Sequence, residues 1–339
     1  MDRAGLVVFG LNLFCLTTLF FYHGLRIKPG IISFVFFIAG LGFLAGSRAW
    51  DLDYANYRGF FLSTPSPSEV AAWGDLLSGH GDILFGFFMS VSKGLTDDFE
   101  VFVYFVAFSS VAINLLCFYR FSPLPLLSLY LYVSYYFFVK DMGLMRAGLA
   151  SAILLYGLCS LNKIRYVFVA AGVHIGAMCG ILAILFKENS LLRRYPLYVL
   201  LGCACFSFLI TPDHFSSFWG RISNYVGTEF SSSIGLFSPV VLKNIFFWLL
   251  FLKMLDREDA QLVNIYGFVV CWSVLFSNFA ILSSRVSNFI LPLEFILLPR
   301  LVNRHRGFFS MAILYGFGMA IANIMVYRYF PDPMMFIFD

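Results

Sequence analysis

The sequence predicts an all-α, polytopic integral membrane protein of about ten transmembrane helices, and three observations carry that prediction. Hydrophobic residues make up 60% of the 339-residue chain, with a mean hydropathy of +0.84. Apolar runs of roughly 16 to 21 residues recur along its whole length, the length an α-helix needs to cross a bilayer. Charged residues are only 12% of the chain, and beside the long runs they gather in compact clusters. A stray charge in lipid is expensive, so polar clusters at the ends of spans are the first candidates for function. Nothing between the runs is long enough for a soluble domain, which makes residues 1–339 one transmembrane domain. The seven cysteines, Cys15, Cys117, Cys159, Cys179, Cys203, Cys205 and Cys271, all fall inside apolar runs. They fit small buried hydrophobes better than disulfides or metal ligands. The formal net charge of +4 reflects a basic bias of cytoplasmic loops and implies no nucleic-acid partner.

The expected spans, in order, are Ala4–Tyr22, Ile31–Gly46, Glu100–Tyr119, Pro123–Val139, Gly143–Leu161, Tyr195–Thr211, Pro239–Leu255, Leu262–Leu282, Val286–Leu298 and Phe308–Tyr327. The first follows Arg3 as a signal peptide would, yet Tyr22-His23-Gly24-Leu25 lacks the small residues of a cleavage site, so it is read as a retained span. Basic loops belong in the cytoplasm: Arg26-Ile-Lys28, Lys163-Ile-Arg165, Lys187 to Arg194, and Arg300 to Arg306. Working outward from them places residues 47–81, the turn from Asp141 to Arg146, the loop 212–237 and Ser283-Ser284-Arg285 on the opposite face. Two apolar stretches break this parity if they cross. Asp82 to Leu95 is about 14 residues, short for a span, and reads as re-entrant or interfacial. Tyr166 to Phe186 is long enough to cross but carries basic residues at both ends. A break near Gly172-Val-His174-Ile-Gly176 resolves the conflict, and such a break in lipid must be buried in protein or line a wet cavity.

Several polar groups stand out against this background. Arg48, Asp51, Asp53, Tyr54 and Tyr57 lie within ten residues at an outer boundary. An Arg or Tyr there alone is an ordinary interfacial anchor, but anchoring needs no carboxylates. Arg146 opens a span rich in small residues. It either snorkels to the headgroups or grips phosphate through parallel hydrogen bonds from its planar fork. His174 is a lone histidine in an apolar run, a packing residue unless the glycine-flanked break lets it move a proton or bind an anion. Arg285 is followed at helical spacing by Asn288 and Pro292. Glu294 lies deep in the same span and is best explained as the partner of Lys243 or Lys253. Arg221 and Tyr225 add an external Arg and Tyr in the late loop. Phosphate-cradling glycine loops, His-Glu-x-x-His and the nucleophile elbow are all missing.

In this order the clusters resemble the EpsG-like branch of the O-antigen polymerase (Wzy) family of bacterial polysaccharide polymerases. The family's Arg, Asp-Tyr and Tyr run is similar to Arg48, Asp53-Tyr54 and Tyr57. Its acid opening a short apolar segment resembles Asp82-Ile-Leu-Phe, and its Arg before Leu-Ala resembles Arg146-Ala-Gly-Leu-Ala. The His in a broken run is similar to His174, the late-loop cation and Tyr to Arg221 and Tyr225, and the final Arg-bearing span to Ser284-Arg285 through Glu294 and Pro299. Two departures stand out: Asp82 where the family commonly has Glu, and Ile-Gly after His174 where Lys-Ser or similar residues are usual.

The resemblance implies a multi-pass, GT-C-like membrane glycosyltransferase of the bacterial inner membrane with its site facing the periplasm. It transfers a growing glycan from undecaprenyl diphosphate to an incoming lipid-linked repeat unit, in O-antigen, capsule or exopolysaccharide synthesis. Asp53, Asp82 or His174 accepts the proton of the attacking hydroxyl. Arg48, Tyr54, Tyr57, Arg146, Arg221, Tyr225 and Arg285 bind substrate. Donor, acceptor and membrane lipid are the partners, together with a chain-length regulator and a flippase of the same pathway. No cofactor, nucleotide or metal is required. An O-antigen ligase uses the same kind of donor and is the nearest alternative. A flippase or other transporter also keeps intramembrane charge, but transporters often show related halves, which this sequence lacks.

Overall fold

The computed structural model describes residues 3–25, 29–47, 54–69, 82–160, 163–186, 190–210 and 235–327. Every regular element among them is helical. Three helical stretches are long and apolar enough to cross a membrane, Phe99–Phe121, Leu282–Arg304 and Arg306–Met325, with shorter apolar helices beside them. The chain is a membrane protein. Many large apolar side chains point outward, Phe36 at 74% and Leu314 at 69% exposed among them. That is the expected surface of a helix solvated by lipid rather than water.

The chain divides into two compact units. The first, 1–175 with 298–339, holds α1 (Arg3–Leu25), α2 (Ile31–Gly46), α3 (Tyr54–Ser63), α4 (Ile83–Thr96) and α5 (Phe99–Phe121). Next come α6 (Pro125–Leu131), which runs on as a π-helix over Tyr132–Asp141, then α7 (Met145–Cys159) and α8 (Lys163–Val173). Its hub is α5, begun by Asp98, whose carboxylate accepts from the N–H of Glu100 at 2.8 Å. Helices α2 and α7 both pack on α5, and α8 packs on α7. Asp98 satisfies one of the four N–H groups a helix start leaves open.

At 14 residues, α4 spans about 21 Å, short of the ~30 Å hydrocarbon layer. Lys93 near its end donates to the carbonyls of Leu62 and Thr64, at 2.8 and 2.9 Å, tying α4 to the end of α3. The stretch Tyr166 to Phe186 is interrupted as the sequence suggests. Helix α8 stops at Val173, a 3₁₀ turn covers Ile175–Met178, and α9 (Cys179–Leu185) follows.

The second unit, 176–297, continues with α10 (Ser190–Arg194), α11 (Pro196–Ser207), α12 (Pro239–Met254), α13 (Ala260–Leu275) and α14 (Ala280–Ile290). Helix α13 is its buried centre and packs against α9, α10, α11, α12 and α14. A 3₁₀ turn over Leu291–Leu293 separates α14 from α15 (Glu294–Arg304), in which the chain returns to the first unit, and α16 (Phe309–Tyr327) of that unit ends the described chain. The turn places Pro292 outside the helix that carries Arg285 and Asn288, because the proline cannot donate into a continuing helix.

Glu294 takes Lys243 as its partner, with Nζ at 3.2 and 3.0 Å from the two carboxylate oxygens. The hydroxyl of Tyr266 lies 3.5 Å from Oε2. Removing one member of a buried pair leaves the other charge stranded. Lys243→Met is therefore expected to destabilise the protein by about 3–5 kcal/mol. The double variant Lys243→Met/Glu294→Gln should recover most of that loss in thermal unfolding of the detergent-solubilised protein.

Candidate functional site

Three sequence-selected residues and the helix break come together in the first unit. Asp82 immediately precedes α4, the N-cap position, where an aspartate ordinarily accepts from its own helix. Here it makes no such bond. Its Oδ2 accepts from Arg146 Nη1 at 2.6 Å, and its Oδ1 accepts from the backbone N–H of Ile175 at 2.8 Å. The carboxylate is only 3% exposed, and a buried charge of this kind needs the cation and the N–H together. One aspartate thus fastens the start of α4, the start of α7 and the end of α8.

Ile175 is the first residue past the break. His174 closes the last turn of α8, its N–H donating to Ala170 O at 2.8 Å, and it is half-buried. The N–H of Ile175 is free for Asp82 because the α-helix has ended there. Gly172 sets how near α8 comes to α4. A Cβ at that position would lie 2.6 Å from Cδ1 of Leu84, closer than packed carbon atoms approach. Any side chain at that position would force Leu84 to move or α8 to back away from α4.

Arg146 stands in the first turn of α7, where backbone N–H groups lack intrahelical partners and the helix dipole favours an anion. Its Cζ lies 5.9 Å from the ring centre of Tyr57, within cation–π range. Tyr57 is buried and packs edge-on against Phe85 of α4. Tyr54, one turn earlier on α3, packs on Phe99. Asp82 therefore holds one side of the guanidinium and Tyr57 lies against it. The Nε–H of Arg146 is buried and has no hydrogen-bond partner among the described residues. An unsatisfied donor on a fixed cation is a place for an anionic acceptor.

Arg285 belongs to the second unit, on α14. Arg48, Asp51, Asp53, Arg221 and Tyr225 lie outside the described residues. The structure also shows a buried acid that the sequence did not single out. Asp141, 1% exposed, accepts from the hydroxyls of Ser110 and Tyr132. The available signal was a Lys140-Asp141 pair ending an apolar run.

The described residues are thus those of a helical membrane protein with an arginine–carboxylate pair held at a broken helix. The chain belongs to the EpsG family, whose model matches residues 31–338. It is also 26% identical over 307 residues to the amylovoran biosynthesis protein AmsC of Erwinia amylovora, covering 83% of this chain and 82% of that one. No solved structure matches the chain.

Proposed function

We propose that this protein is a polysaccharide polymerase, a membrane glycosyltransferase acting at the periplasmic face of the bacterial inner membrane. It moves a growing glycan from undecaprenyl diphosphate to the nonreducing-end sugar of an incoming lipid-linked repeat unit. EpsG family membership and a relative named for amylovoran biosynthesis support a role in polysaccharide synthesis. The single observation that carries the chemistry is the buried Nε–H of Arg146, unpartnered among the described residues, on a guanidinium that Asp82 already holds.

In the reaction the acceptor hydroxyl attacks the anomeric carbon of the donor, and the bond from that carbon to the diphosphate oxygen breaks. The diphosphate leaves with the bonding electron pair, and the hydroxyl proton passes to a base. Negative charge grows on the bridging oxygen, so a preorganised cation lowers the barrier more than it tightens the ground state. Arg146 is suited to that part. Both oxygens of Asp82 are engaged by donors, which suits it to aiming the arginine. His174, at the break and one residue from that contact, is the better placed proton acceptor of the two.

Deletion of the gene, followed by gel analysis of surface polysaccharide, tests the reading. A polymerase deletion removes the ladder and leaves one repeat unit attached. Loss of all glycan would instead assign the chain to a ligase or a flippase.

A further inference from the structure

The π-helix Tyr132–Asp141 runs for ten residues, although this helix form is rare and usually limited to a single turn. Its period decides which side chains meet. Nine residues separate Tyr132 from Asp141, and at about 100° per residue an α-helix would put them on opposite faces. The i→i+5 coil, at roughly 4.4 residues per turn, returns to the same face after about two turns. Accordingly the Tyr132 hydroxyl reaches Asp141 Oδ2, while Ser110 from α5 donates to Oδ1. All three residues are at most 1% exposed.

The satisfied carboxylate bears directly on the start of α7. The turn after Asp141 is pinned by Met142 N–H to Phe137 O at 3.0 Å, which keeps the i→i+5 pattern, and by Leu144 N–H to Lys140 O at 2.9 Å. Gly148, in the first turns of α7, lies so near that a Cβ there would be 2.9 Å from Lys140 O and 3.1 Å from Asp141 Oδ1. Arg146 sits between these two contacts, five residues past Asp141 and two before Gly148. A shift of α7 on Asp141 would therefore carry the backbone of Arg146 with it.

We propose that Asp141, held by Tyr132 and Ser110 through the π-helix, is a positioning residue that sets the aim of Arg146 toward a diphosphate. This rests on the reading of Arg146 as the diphosphate grip. Asp141 itself is buried behind α7 and needs no contact with substrate. Its effect passes through the arginine alone, and that property separates positioning from general support of the fold.

The test is a double-mutant cycle on binding of farnesyl diphosphate to the purified full-length protein in detergent. Affinity is used because it does not depend on the fraction of protein that folds. Arg146→Lys and Asp141→Asn should each weaken binding by about tenfold or more, the loss expected for one charge-assisted contact. The double variant should bind no more weakly than Arg146→Lys alone, because interacting residues do not contribute additively. Losses that multiply in the double variant would overturn the proposal. If Asp141→Asn does not fold, Tyr132→Phe enters the same cycle, since it keeps the carboxylate and removes one donor. Unchanged affinity in Asp141→Asn or its replacement, with Arg146→Lys weakened, overturns the positioning role and leaves the diphosphate grip standing. Unchanged affinity in Arg146→Lys overturns both.

Discussion

Replacing Arg146 with Lys collapses the polysaccharide ladder to short products while the protein remains at its normal level. The expectation follows from what the guanidinium does with its separate N–H groups. One terminal nitrogen donates to Asp82 at 2.6 Å, the cation lies over Tyr57, and the Nε–H has no partner among the described residues. A lysine ammonium is a compact point charge on a flexible stem and cannot serve Asp82 and an anion in that fixed geometry. Each charged hydrogen bond lost is worth roughly 1.5 to 3 kcal/mol, enough to weaken substrate binding by at least about tenfold. An arginine that only snorkels would lose nothing, because lysine snorkels equally well. Full ladder length in Arg146→Lys, with protein level checked by immunoblot, would therefore remove Arg146 from the site. Arg285→Lys, assayed beside it, asks the same question of the arginine on α14.

The parts of the fold written in local hydrophobicity were legible before any coordinates. Apolar runs gave helices, and the basic residues flanking Tyr166 to Phe186 pointed to an interruption that the structure places between Val173 and Ile175. Glu294 was legible as well, since a carboxylate deep in an apolar run demands a cation, and Lys243 supplies it. The partnership of Asp82 with Arg146 was not, because 64 residues separate them and no local rule links a helix start to another helix so far along the chain. Each residue drew notice alone, as an acid opening a short segment and an Arg opening a span. The pairing exists only once the fold brings the start of α4 to the start of α7. Asp141 was missed for a different reason. Read with the 3.6-residue period, it points away from Tyr132, and only the π-coil brings the two together. A sequence carries little sign of a π-helix, since its hydrogen bonds involve the same backbone groups as an α-helix.

The three sequence-selected proton acceptors should separate by the kind of loss they cause. Asp82 has one oxygen on Arg146 and the other on the N–H of Ile175. Asp82→Asn keeps the side-chain shape but removes the charge that holds the arginine. Its loss should appear first as weaker binding of farnesyl diphosphate, with slower polymer growth following from it. His174 stands at the end of α8, where the backbone leaves the helix, one residue before the N–H that Asp82 accepts. His174→Ala should leave probe affinity near normal and slow polymer formation by about 10² to 10⁴, the range expected when a general base is withdrawn from an attack by a weakly acidic hydroxyl. Asp53→Asn completes the comparison, because Asp53 was selected from the sequence beside Arg48 and Tyr54. Near-normal polymer from His174→Ala, together with an inactive Asp53→Asn that still binds the probe, would move the base to Asp53. His174 would then be a residue of the helix break alone, and the chemistry would centre on the acids that precede Tyr54 in the sequence.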